Sequence, residues 1–179
     1  MELLKLATEW AKAEVFSTRF FILFAIIFLI ASIGFWQLGK TDLAKAYIIP
    51  TLVAGLLLMT IGLGLFYTNK SRITQFEKAF NTDASSFYQS EIERSESTLK
   101  EYKVVFKVIP ILIIVAALLI LFINTPTWRA IGITTIAMLI IILLVDGTAH
   151  SRIEATHILL LSYRRFVKRV FHYHRRGKI

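Results

Sequence analysis

The sequence predicts an all-α fold: a polytopic membrane protein with four transmembrane helices, arranged as two helical hairpins. Three observations predict it. Apolar runs occupy residues 20–38, 46–67, 104–123 and 128–146, and about 20 such residues cross ~30 Å of hydrocarbon. The chain of 179 residues is 56% hydrophobic with a mean hydropathy of +0.64, more apolar than a soluble domain of that size. The cations are also segregated. Three Lys and Arg precede the first run, seven lie in residues 68–107 and eight follow residue 145, against two and one in the short connections. The positive-inside rule then places both ends and the long middle segment in the cytoplasm, as in a bacterial inner membrane protein. The net charge of +9 reports this topology, and no nucleic-acid partner is expected.

Residues 1–19 alternate Glu2, Glu9 and Glu14 with Lys5, Lys12 and Arg19, and no small-residue cleavage site follows the first run. This is not the pattern of a signal peptide. Leu3, Leu6, Trp10, Ala13 and Phe16 fall in helical steps. The expectation is an amphipathic helix lying on the cytoplasmic membrane surface.

The first connection, residues 39–42, reads as a tight turn whose Thr41 or Asp42 caps the next helix. Pro50 sits where its missing N–H costs little. Small residues at Gly55, Gly62 and Gly64 let backbones approach. They serve either contact within the chain or a homo-oligomer interface.

Residues 68–103 predict a cytoplasmic helical hairpin. Ile73, Phe76 and Phe80 carry one stripe beyond the second run. Residues 81–86 interrupt it, with Ser86 and Gln89 in capping-box spacing. Tyr88, Ile92, Ser95, Leu99, Tyr102 and Phe106 form a second stripe with steps of three and four. The expected stalk stands roughly 15–25 Å above the membrane. Its aromatics, Phe76, Phe80, Phe87, Tyr88 and Tyr102, are the expected contacts for a cytoplasmic protein partner.

Residues 124–127 form the second short turn, and residues 147–179 a basic cytoplasmic helix and tail. Arg164, Arg165, Lys168 and Arg169 there, with Arg72 and Arg152 one turn beyond their runs, are placed to meet anionic lipid headgroups. A pattern T-x-x-S-R-I recurs at residues 68–73 and 148–153, which suggests a parallel duplication. Asp146, His150, Glu154 and His157 share one helix face, and their donor atoms suit a metal ion. The competing reading is a polar stripe at the membrane boundary.

No phosphate loop, G-x-S-x-G or H-E-x-x-H occurs, and cysteine is absent. The runs hold no ionisable residue at a midplane. The function expected is therefore non-enzymatic and without a cofactor: an anchoring or docking subunit, in one domain, that associates with itself. A homo-oligomeric channel or membrane-disrupting effector is the first alternative. A metal-dependent enzyme built on residues 146–157 is the second.

Overall fold

No glycine or proline interrupts residues 2–33, and in the computed structural model helix α1 (Glu2–Leu38) runs unbroken through both the charged and the apolar parts of that stretch. The structure describes the backbone of residues 2–176 and the side chains of residues 4–162. It is nearly all helical. A short helix α2 (Asp42–Ala46) leads into α3 (Ile48–Thr82), followed by α4 (Ala84–Phe122) and α5 (Pro126–Arg176). At 1.5 Å per residue the 37 residues of α1 extend about 55 Å. Four helical stretches among the described residues are long and apolar enough to cross a membrane: Leu4–Leu38, Asp42–Thr82, Ala84–Phe122 and Pro126–Ser162. Each carries charged turns beyond its apolar part.

The chain turns where its chemistry dictates. Thr41 caps α2 by accepting from the Ala44 amide at 3.1 Å. The break at Tyr47 follows from Pro50, which has no N–H to offer the Ala46 carbonyl. Tyr47 instead donates to Ala44 at 3.2 Å, and its ring stacks on Phe35 at 5.1 Å. Asp83 alone separates α3 from α4. Its amide closes α3 on Ala79, while its carboxylate accepts from the Ser85 and Ser86 amides at 2.9 and 3.1 Å. The expected capping box at Ser86 is thus displaced by three residues, because an extended Asp83 offers a charged acceptor first. Gln89 turns to Glu93 instead. Pro126 opens α5, where a missing amide hydrogen is harmless.

Helices α1 and α3 pack along their length, as do α4 and α5, and α5 also touches α1 and α3. Small residues set the close approaches. A Cβ on Gly55 would stand 2.9 Å from the Leu29 side chain and 3.1 Å from the Ala25 carbonyl. One on Gly62 would meet Ile22 at 2.9 Å, and one on Gly132 would meet Ile120 at 2.5 Å. Gly55 and Gly62 therefore serve contact within the chain, not a surface for another copy. Gly64 alone of the three faces open space.

Two apolar clusters result. One, among the apolar runs, joins Phe21, Ala25, Leu58 and Val145. The other lies among the charged ends and joins Ala7, Ala11, Phe76, Phe87, Ile92 and Leu160. The second cluster corrects two expectations. Residues 4–19 do not form a separate helix on a membrane surface; they continue α1, and their buried face is Ala7, Trp10, Ala11, Ser17 and Thr18. Phe16, counted in the expected stripe, is 55% exposed. Nor do α3 and α4 form a lone two-helix stalk. Their charged ends join α1 and α5 in a four-helix head, where the Tyr88 hydroxyl donates to the Leu160 carbonyl.

Leucine at Gly62 should overpack the α1–α3 contact and cost about 1–3 kcal/mol, whereas leucine at Gly64 should leave the melting temperature unchanged. Thermal unfolding of the two variants in one detergent measures the contrast.

Candidate functional site

Where the apolar runs give way to charge, four helices bring ionisable side chains inward. Glu14 and Trp10 come from α1, Arg72 and Asn69 from α3, Arg94 and Tyr102 from α4, and Asp146 from α5. Together they line a cavity of ≈ 380 Å³. Its other wall is apolar, with Phe21, Leu65, Val105 and Val145 among the lining residues.

The charges fall into two groups. In the first, Glu91 lies buried on α4 and takes both hydrogen bonds of a fork from Arg94, three residues on: Nε at 3.2 Å, and Nη2 to the second oxygen. The Arg94 guanidinium also lies 3.6 Å from the centre of the Trp10 ring. That contact ties α4 to α1 by cation–π attraction. Arg72 of α3 stands 4.0 Å from the same carboxylate, too far for a hydrogen bond. Burial lowers the Arg72 pKa to about 10, helped by the positive Arg94 and opposed by Glu91 and Glu14. It therefore keeps its charge at neutral pH.

The second group is looser. Arg152 of α5 donates to the Ser17 hydroxyl and stands 3.8 Å from the Glu14 carboxylate. The Trp10 indole N–H approaches Glu14 but falls outside hydrogen-bond geometry. Trp10 Nε1, Glu14 Oε1 and Arg152 Nε are all buried without a hydrogen-bond partner. Burial pushes the Glu14 carboxyl above its ordinary range, against the pull of Arg152 first and then of Trp10, Arg94 and Arg72.

Several residues singled out in the sequence gather here, though not in the roles expected. Arg72 and Arg152 occupy equivalent places in the T-x-x-S-R-I repeat, and both turn inward to carboxylates of other helices. The following isoleucines, Ile73 and Ile153, also turn inward, Ile153 completely. Phe76 and Phe87 are 5% exposed and pack edge-to-face at 5.5 Å. They are core residues, so the exposure that made them partner contacts is missing. Phe80 and Tyr88 pack against the same core and are half-buried. Tyr102 lines the cavity and meets the His150 ring edge-on at 5.7 Å. Arg164, Arg165, Lys168 and Arg169 lie outside the residues whose side chains are described.

The proposed metal face does not converge. Asp146 lines the cavity, while His150 is held between Tyr102 and Phe106. Glu154 is exposed, and His157 Nδ1 lies 2.7 Å from the buried Ser95 hydroxyl. Among the described residues, no three His, Asp or Glu side chains gather as a metal site.

None of Trp10, Glu14, Glu91 and Arg94 is expected at a site from the sequence: Trp10 reads as one position of an amphipathic stripe and Glu14 as one charge of the N-terminal pattern. A signal for the α1 pair was present: residues 7, 10, 14, 17, 21 and 25 repeat in steps of three and four. Small and charged residues in that series hide it from a search for large apolar ones. No family model, curated protein or solved structure matches the chain.

The two carboxylates should respond oppositely to removal. Leucine at Glu91 strands the largely buried Arg94 guanidinium, and a loss of about 3–5 kcal/mol is expected. Glutamine at Glu14 should raise the melting temperature at pH 7. The sign follows from the raised pKa: charged Glu14 costs stability as pH climbs through its folded value. Below its ordinary value of 4.5 the acid is neutral in both states, so the gain should vanish at pH 4. Melting curves of both variants at the two pH values measure this.

Proposed function

We propose that the chain is an integral membrane anchoring and docking subunit. Its four apolar runs cross a bacterial inner membrane as two hairpins, with both ends in the cytoplasm. The role is non-enzymatic: to hold a cytoplasmic protein partner at the membrane. The observation that carries this reading is the head, where the charged ends of all four long helices fold around Phe76, Phe87 and Ile92. A chain needing only to span a membrane has no use for a second core beyond its apolar runs. A folded unit on short connections offers a partner a rigid surface, which lowers the ordering cost of association.

With the aromatics turned inward, the docking surface passes to the tip. There an open groove runs between the ends of α3 and α4, lined by Gln75, Lys78, Thr82, Ser86 and Ser90. The basic tail would add grip on anionic lipid, at about 1 kcal/mol for each cation near the headgroups. The outward face of α4, with Ile111, Ile114, Val115 and Leu118 exposed, is left to lipid or to a second copy.

Photo-crosslinking residues at positions 78, 82 and 86 should capture one cytoplasmic protein in intact cells. The same residue at Trp36, at the far end of α1, should not. Equal capture at both ends, or none at the tip, would overturn the docking role. Robust ion flux from purified protein in liposomes would favour a channel instead.

A further inference from the structure

Helix α5 does not stop with the head. Residues 149, 153, 156, 160, 163, 167, 170 and 174 recur in steps of four and three, the spacing of a helix–helix seam. The first four, Ala149, Ile153, Thr156 and Leu160, are buried, and Leu160 shares its cluster with Ala7 of α1 and Ile92 of α4. The last four hold the same register. No glycine or proline lies between residues 148 and 176, and the helix runs unbroken to Arg176. Two contacts fix its level against α4. The His157 Nδ1 meets the Ser95 hydroxyl at 2.7 Å, and the Leu160 carbonyl accepts from the Tyr88 hydroxyl. Beyond Tyr88, α4 has only about 8 Å left before Asp83 reverses the chain, whereas α5 runs about 24 Å past Leu160. The seam thus extends roughly 16 Å beyond the turn that joins α3 to α4.

At 3.6 residues per turn the apolar residues and the cations of this extension separate completely. Tyr163, Phe166, Val167, Val170, Phe171 and Tyr173 fall within an arc of about 160° that contains the seam. Arg164, Arg165, Lys168, Arg169, Arg175 and Arg176 fall within the opposite arc, about 140° wide. Arg164 holds the register position at one edge of the apolar arc and Arg169 the position at the other. No Asp or Glu follows Glu154.

An apolar arc on a helix is covered by lipid or by another helix. An arc that meets lipid takes any angle relative to the rest of its helix. This one stays in register with the seam that α1 and α4 fill below, as stacking one more helix on the same face requires. A second copy of the tail would set Arg164 and Arg169 beside their own equivalents, where like charges repel. A helix with acidic edges meets a cation on both sides of the seam.

We propose that residues 163–176 bind an acidic amphipathic helix of a cytoplasmic protein, laid on the seam beyond the Asp83 turn. The inference rests on the docking role and names the chemistry of the partner. The probe is a labelled peptide of about three heptads, with leucine along its seam and glutamate at both edges. A second peptide carries lysine at those edges. Full-length protein in phosphatidylcholine nanodiscs should bind the glutamate peptide roughly tenfold or more tighter than the lysine peptide. Serine at both Val167 and Val170 should remove that binding. Arg164→Glu with Arg169→Glu should reverse the preference, which a loss of fold cannot do. Both double variants should melt with the wild type, since their positions lie past the head.

Equal affinity for the two peptides, or an unreversed preference in the glutamate variant, overturns the proposal. Lipid has its own arm. Val170→Cys carrying an environment-sensitive fluorophore should shift its emission when the glutamate peptide is added. The same shift in phosphatidylglycerol nanodiscs without peptide would assign the seam to lipid and overturn the proposal. The docking role is read separately, by capture at positions 78, 82 and 86. Capture there without peptide binding therefore strikes the tail alone.

Discussion

The carboxylate of Glu91 is the point on which the head depends. It is 5% exposed, a position a charge tolerates only with full compensation. Arg94 supplies that compensation through two hydrogen bonds, and Arg72 adds a second positive charge from α3. Arg94 in turn lies over the Trp10 ring of α1. One buried acid thereby fixes the relative placement of three helices. The apolar cluster above it, with Ala7, Phe76 and Phe87, supplies area but little direction, since apolar contact is non-directional. The charged fork supplies the direction.

Two kinds of helix contact divide the molecule. Within the apolar runs, glycine and alanine bring backbones together: Gly55 and Gly62 against α1, Gly132 against the Ala116 turn of α4. Such close approaches leave no room for large polar groups. Farther along, the same helices carry Trp10, Arg72, Arg94 and Tyr102 toward one another, and the bundle opens into a cavity. Both features come from side-chain size along the helices. Contact between α3 and α4 is sparse, although a single residue joins them. Asp83 reverses the chain, while α1 and α5 do the packing that a closed hairpin would have done.

The inward turn of Arg72 and Arg152 shows how position in a fold changes a residue's meaning. An arginine one turn past an apolar run ordinarily extends to the headgroups. Here both guanidiniums turn toward carboxylates on neighbouring helices, at 4.0 and 3.8 Å, and stay half-buried. The recurrence of Ser-Arg-Ile after α3's and α5's apolar runs acquires a structural reason: each arginine serves the cluster and each isoleucine the packing beside it.

The four apolar helices were legible in the sequence, because a run of about 20 apolar residues is a local property that hydropathy measures directly. The turns at residues 39–42 and 124–127 were legible for the same reason. The cap at Asp83 was within reach of the sequence, since Asp before a helix is a local signal, but Ser86 competed for it. The head was decided only by tertiary structure. Its seam along α1 is built from Ala7, Ala11, Ser17 and Thr18, residues too small or too polar to register as a hydrophobic stripe. Its aromatics are buried by helices distant in sequence: α1 covers Phe76, and Leu160 of α5 closes on Tyr88. A charge pair such as Glu14 and Arg152 is separated by most of the chain. No local pattern encodes such a meeting; it exists only once the helices have packed.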